Sequence, residues 1–162
     1  MAKYPLEQLA VIKKKRRDEA EKILKEKKEF LKQEEKKLKE VEAERDEVKS
    51  HMKSKVDQFQ EELDAGTTSD KIELMKRYLK VVEEKLKKKE DKVEKQKKEV
   101  EKAQEETEKA RKDLFKKQQD VEKLKMHKKE WEAEQRYIEK QEQAAQTDEM
   151  GSVMHERKRK KK

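Results

Sequence analysis

Two long apolar stripes at coiled-coil spacing, interrupted once, constrain this chain more than any other feature. The interruption is Asp64-Ala65-Gly66-Thr67-Thr68-Ser69-Asp70. A chain with one turn between two such stripes can double back and bury each against the other. The result would be a rod with exposed sides, working through its surface.

The first stripe reads Leu6, Leu9, Ile12, Ala20, Leu24, Leu31, Leu38, Val41, Val48, Met52, Val56, Phe59 and Leu63. Its three-and-four spacing keeps these residues on one helical face. Pro5 stands where a helix can begin, since its missing N–H costs nothing there. The step from Met52 to Val56 to Phe59 predicts a stutter that locally unwinds the supercoil. Lys27, Glu34 and Arg45 occupy seam positions and weaken the seam with charge.

Gly66 supplies the left-handed φ that ends a helix. Ser69 and Asp70 are N-cap candidates, and Asp70 with Glu73 has capping-box spacing. The second stripe then holds one heptad frame from Ile72 through Met75, Leu79, Val82, Leu86, Val93, Val100, Ala103, Thr107, Ala110, Leu114, Val121, Leu124 and Trp131 to Ile138. Lys89, Gln96, Lys117, Lys128 and Gln135 are its polar members, so about two-thirds of the frame is apolar.

The hairpin can be checked within the sequence. Folding at Thr67 sets Phe59 opposite Met75, Met52 opposite Val82, Val48 opposite Leu86 and Val41 opposite Val93. Further along, Leu31 meets Ala103, Leu24 meets Ala110 and Ala20 meets Leu114, large against small as interdigitation requires. Ile12 and Leu9 reach Val121 and Leu124. At 1.5 Å per residue the first helix spans roughly 90 Å, and the second outruns it beyond about Glu130. Trp131, Tyr137 and Ile138 are then left partly unpaired, with Tyr4 and Leu6 placed to cover Trp131.

Composition agrees. Charged residues form 54% of the chain and aromatics 4%, which leaves a choice between coiled coil and disorder that the periodicity decides. The net charge of +8 favours solubility and acidic partners without identifying one. Without cysteine, disulfides and thiol catalysis are excluded and a reducing cytoplasm is compatible. Met1-Ala2-Lys3-Tyr4-Pro5 lacks the apolar stretch of a signal peptide. No run approaches the roughly 18 apolar residues of a membrane span, so no direct membrane insertion is expected.

Catalytic chemistry is not foreseen. His51, His127 and His155 lack metal-ligand spacing, so neither metal nor cofactor is expected. The many carboxylates lie on exposed helices without the burial that tunes acid–base groups. Neither a phosphate loop nor a nucleophile elbow is present. The chain reads as a non-enzyme.

Two surfaces stand out. Leu74, Tyr78 and Val81 form a narrow second stripe near the turn. Either Tyr78 wraps the edge of a seam widened there, or the stripe is a protein-docking patch with an aromatic anchor. At the other end, Lys13-Lys14-Lys15-Arg16-Arg17 and the run Arg157-Lys158-Arg159-Lys160-Lys161-Lys162 lie close in a hairpin. They form a solvated face, or a surface for an acidic protein or anionic lipid. Without interleaved aromatics the basic runs offer only salt-dependent attraction to nucleic acid, and no nucleic-acid partner is expected.

Particular segments stand out: Tyr4-Pro5-Leu6-Glu7, Ile12-Lys13-Lys14, Ala20-Glu21-Lys22, Gly66-Thr67-Thr68-Ser69-Asp70, Lys80-Val81-Val82, His127-Lys128-Lys129-Glu130-Trp131 and Asp148-Glu149-Met150-Gly151, of which the turn and Trp131 segments are not heptad filler. In these the chain resembles the YscO/FliJ family of type III secretion and flagellar export proteins, and is similar to chlamydial YscO-like members. The resemblance implies a cytoplasmic antiparallel hairpin, peripheral at the membrane base of a secretion apparatus. It implies that the terminal end, with Leu6, Lys13, Lys14, Arg16, Arg17, Trp131 and Tyr137, enters a hexameric secretion ATPase as its central stalk. The apex, with Leu74, Tyr78, Val81 and Val82, is implied to contact the export gate. Secretion chaperones and a needle-length regulator are implied as further partners. Lys85 and Lys89 depart from the smaller or uncharged residues that flagellar members carry further along this strip.

The expected fold is all-α: a long antiparallel two-helix coiled-coil hairpin over residues 1–148, with a disordered basic C-terminal tail over 149–162. Helix 1 is expected over about 6–64, the turn over 65–69 with Gly66, Ser69 and Asp70, and helix 2 over about 70–147. A monomer is expected, acting as ATPase stalk and chaperone escort that couples the ATPase to the gate. One rival is a generic coiled-coil tether or scaffold that dimerises in parallel and runs helix through Gly66. The other is a basic rod that binds nucleic acid or anionic membrane.

Overall fold

The computed structural model describes residues 2–161. Two helices, α1 (Glu7–Ala65) and α2 (Ser69–Lys160), pack together as an antiparallel hairpin. The described residues contain no strand.

Local chemistry sets the helix ends. Pro5 lies in the turn leading into α1, and the Glu7 N–H donates to the Tyr4 carbonyl at 3.3 Å. At the far end of α1, Gly66 takes φ +90° and donates its N–H to the Leu63 carbonyl at 3.2 Å. The first helical bond of α2 runs from the Ile72 N–H to the Thr68 carbonyl at 3.1 Å. Thr68 is therefore the cap, and the expected cap candidates Ser69 and Asp70 already lie in the helix. Gly66, Thr67 and Thr68 suffice for the reversal. Asp70 keeps a favourable place, as a negative charge near the positive end of the helix dipole.

The chain divides into two compact units, one of Lys22–Arg111 and the other of the segments up to Glu21 and from Lys112 onward. In the turn-bearing unit, burial along α2 follows the heptad frame, with Met75, Val82, Val93, Val100, Ala103, Thr107 and Ala110 buried. Along α1 the covered residues are Leu24, Lys27, Leu31, Glu34, Leu38, Val41, Arg45, Val48, Met52, Lys55 and Phe59. Val56 is 42% exposed, so the anticipated stutter does not occur. The seam goes from Met52 through Lys55 to Phe59 and keeps its phase, because a lysine can bury its methylene stem beneath a solvated head.

Polar contacts report the register directly. In this unit Lys27 pairs with Glu106 at 2.8 Å, Lys89 with Glu44 at 3.1 Å, and Gln96 with Glu34 at 2.6 Å. In the unit bearing the termini, Lys13 meets Asp120 at 3.5 Å and Lys128 meets Glu7 at 3.0 Å. All five pairs are symmetric about Thr67 to within one helical turn. Exposed ion pairs of this kind add little stability; their value here is as markers of alignment. Where Ala103, Thr107 and Ala110 follow one another, the small side chains let backbones approach. The Thr107 hydroxyl donates to the Ala103 carbonyl at 2.8 Å and lies 3.4 Å from the Lys27 carbonyl on α1.

The unit bearing the termini is built on Tyr4, Ala20 and Val121. Its seam on this side is Leu6, just before α1, then Ala10, Lys13, Arg17 and Ala20. Leu9 and Ile12, expected against Val121 and Leu124, are 38% and 46% exposed. The chain keeps an unbroken three-and-four step back from Ala20, and that step lands on Ala10, Lys13 and Arg17 instead.

The C-terminal segment also differs from expectation. α2 continues through Gly151 to Lys160, so residues expected in a disordered tail are helical, while Lys162 lies outside the described residues. Met, Glu, Arg and Lys are strong helix formers. Arg157, Lys158, Arg159 and Lys160 occupy the last turn, where cations complement the negative end of the dipole.

Candidate interaction surfaces

In the turn-bearing unit, Leu74 and Val81 are 62% and 63% exposed, whereas Val82 is 6% exposed. Val82 therefore belongs to the seam and is not part of the exposed apex surface, where it was expected. Consecutive residues on a helix point about 100° apart, so Val81 and Val82 cannot share a role.

Tyr78 lies at the edge of the seam and is held there from behind. Its hydroxyl hydrogen-bonds with His51 Nε2 at 2.6 Å, its ring meets Phe59 edge-on at 6.0 Å, and Lys55 Nζ lies 5.9 Å from its centroid. The ring wraps the seam edge, yet 39% of the residue remains exposed. With Phe59, Leu74, Met75 and Val81 it lines an open groove of about 990 Å³ beside the turn. His51 was not foreseen here. Its signal is positional: His51 and Tyr78 each precede a seam residue, Met52 and Leu79, and such flanking positions pair across a coiled coil.

In the unit bearing the termini, Tyr4 clasps α2. Its hydroxyl hydrogen-bonds with His127 Nδ1, its ring lies edge-on to Trp131 at 5.4 Å, and Lys128 Nζ sits 5.9 Å from its centroid. Tyr4 thus covers Trp131 as expected. The hydrogen bond and charge of Glu7 raise the Lys128 pKa above its ordinary value.

The basic cluster splits. Lys13 and Arg17 are half-buried in the seam, Lys13 beside Asp120 and Arg17 with Nη2 3.1 Å from the neighbouring Asp18 carboxylate. Lys14, Lys15 and Arg16 face solvent. Leu6 and Trp131 are half-buried, while Tyr137 is 61% exposed. Further along α2, Met150, Val153 and Met154 form an exposed apolar cluster that the stripe analysis passed over. Their spacing of three and one is visible in the sequence, but Gly151 and the basic run disguised it as tail.

These surfaces present aromatic and aliphatic groups edged by charge. Among the described residues no group of three or more His, Cys, Asp or Glu could hold a metal, and no helix is long and apolar enough to cross a membrane.

Comparison with known proteins agrees with the fold. The solved structure of CT670 from Chlamydia trachomatis, described as a YscO homolog, is 45% identical in sequence with a TM-score of 0.95 over 100% of both chains. No curated protein matches the chain significantly. A family model for YscO-like proteins matches residues 1–161, across both helices and the turn. The chain belongs to the YscO-like family.

Proposed function

We propose that this chain serves a type III secretion apparatus as the central stalk of the hexameric export ATPase and as an escort for secretion chaperones, coupling the ATPase to the export gate. The match to the YscO-like family over residues 1–161 carries this reading. In this proposal the protein has no catalytic activity of its own and acts in the cytoplasm, as a monomer, peripherally at the membrane base of the apparatus.

The unit bearing the termini would meet the ATPase ring through exposed Lys14, Arg16 and Tyr137. Lys13, Arg17, Leu6 and Trp131 would hold the helices that present them. The turn-bearing unit would meet the gate through Leu74, Tyr78 and Val81, with Val82 supporting from the seam. A needle-length regulator is a further partner in this reading.

The test is co-purification of the tagged full chain with the secretion ATPase and, separately, with the soluble domain of the gate. Lys14→Glu with Arg16→Glu should lower ATPase retention and spare the gate. Tyr78→Ala should do the reverse. Retention of neither partner by the unmodified chain would reject the proposal.

A further inference from the structure

The groove beside the turn has a charge pattern that its apolar floor does not explain. Lys55, Lys71 and Arg77 line it against one carboxylate, Glu62. Lys71 and Arg77 have no ion pair among the described residues, and Glu62 is engaged by Gln58 at 3.5 Å. Lys55 is turned inward, donating to Gln58 Oε1 at 3.2 Å and lying against the Tyr78 ring. The rim therefore carries a cationic surplus, three cations against one carboxylate.

The floor is already organised. Tyr78 is fixed by His51 and Phe59 before any partner arrives, so little side-chain freedom remains to be lost on binding. Leu74, Tyr78 and Val81 recur at helical spacing along one wall. From Lys71 to Val81 that wall extends about 15 Å, the length of about ten residues of an added helix. Both walls are helices and offer ridges and grooves to a third.

We infer that this groove receives an amphipathic helix of another protein, with an apolar face seated on Leu74, Tyr78 and Val81 and acidic residues along its edges facing Lys71 and Arg77. The inference rests on reading this end as a docking end, and it adds the chemistry of the docked segment. A second copy of this chain is the poorer occupant, because two such grooves set face to face oppose their cationic rims.

The experiment uses the full chain and a labelled probe peptide of about twelve residues, with Leu and Phe on one helical face and Glu along both edges. A control peptide replaces each Glu with Lys. By fluorescence anisotropy the acidic-edged peptide should bind at least about tenfold tighter than the control. Lys71→Glu with Arg77→Glu should reverse that preference, and Tyr78→Ala should weaken binding about tenfold while circular dichroism stays unchanged. Equal affinity for both peptides, or none for either, overturns the inference. So does sedimentation of the unmodified chain as a dimer that Leu74→Arg dissociates. If the charge preference holds while co-purification with both ATPase and gate fails, the secretion reading falls alone; the converse leaves that reading and removes this inference.

Discussion

Gln96 reaches across the seam to Glu34, its Nε2 donating to the carboxylate at 2.6 Å and to the Glu34 backbone carbonyl at 3.0 Å. Glu34 is 7% exposed and also meets Lys37 Nζ at 3.3 Å. The Gln96 hydrogen bond, and then Lys37, hold the Glu34 pKa below its ordinary 4.5 against the opposing effect of burial. A carboxylate whose pKa falls on folding stabilises the fold above the unfolded pKa, and this contribution is lost as pH drops through the folded value. Gln96→Leu should therefore lower Tm at neutral pH, and the deficit should shrink below pH 4.5. Pairing it with Glu34→Leu should restore Tm, because both polar partners then leave together. Thermal melts across pH read all three outcomes.

Val81 and Val82 are neighbours with opposite surroundings. Val82→Ala should cost about 1.5–3 kcal/mol, from two lost methyl groups and the cavity left behind. Val81→Ala should fall within about 0.5 kcal/mol of the unmodified chain. Urea denaturation distinguishes them, and equal losses would contradict the placement of Val81 outside the seam.

Gly66 and Gly151 should respond to alanine with opposite signs. No heavy atom lies within 4 Å of a Cβ built at either position, but Gly66 has φ +90°. Gly66→Ala should destabilise by about 1–2 kcal/mol through backbone strain alone. Gly151→Ala lies inside α2 and should raise helicity, worth about 0.8–1 kcal/mol locally. Circular dichroism and thermal melts suffice for both.

Trp131 is the sole tryptophan and reports on the Tyr4 clasp. Tyr4→Leu keeps an apolar cover but removes the aromatic pair, a loss of about 0.5–1.5 kcal/mol. Tyr4→Ala should expose the indole and shift its emission to the red. An unchanged spectrum would mean that Tyr4 does not cover Trp131.

The α2 seam was legible in the sequence down to its polar members. Lys89, Gln96, Thr107, Lys117 and Lys128 occupy it as the frame requires, because one strict heptad phase leaves no competing face. α1 was legible from Ala20 to Met52, and outside that span only at Leu6 and Phe59. Beyond those bounds, apolar residues one position off the frame drew the reading away: Leu9 and Ile12 at one end, Val56 at the other. The apex stripe of Leu74, Tyr78 and Val81 was visible as a pattern. Its backing by His51 was not, since a cross-helix contact depends on how the two helices are rotated about their axes.

The order of residues alone determined that two helices form, where the chain reverses, and the approximate register of the two halves. Those follow from periodicity and from the one glycine at the turn, both local properties. Only the packing of α1 against α2 decided which side of α1 turns inward. A paired helix must keep phase with its partner over its whole length, so Lys13, Arg17 and Lys55 enter the seam while more apolar neighbours stay in water. The basic C-terminal segment marks the same limit: the composition that suggested disorder is equally that of a good helix, and continuity with α2 decided between them.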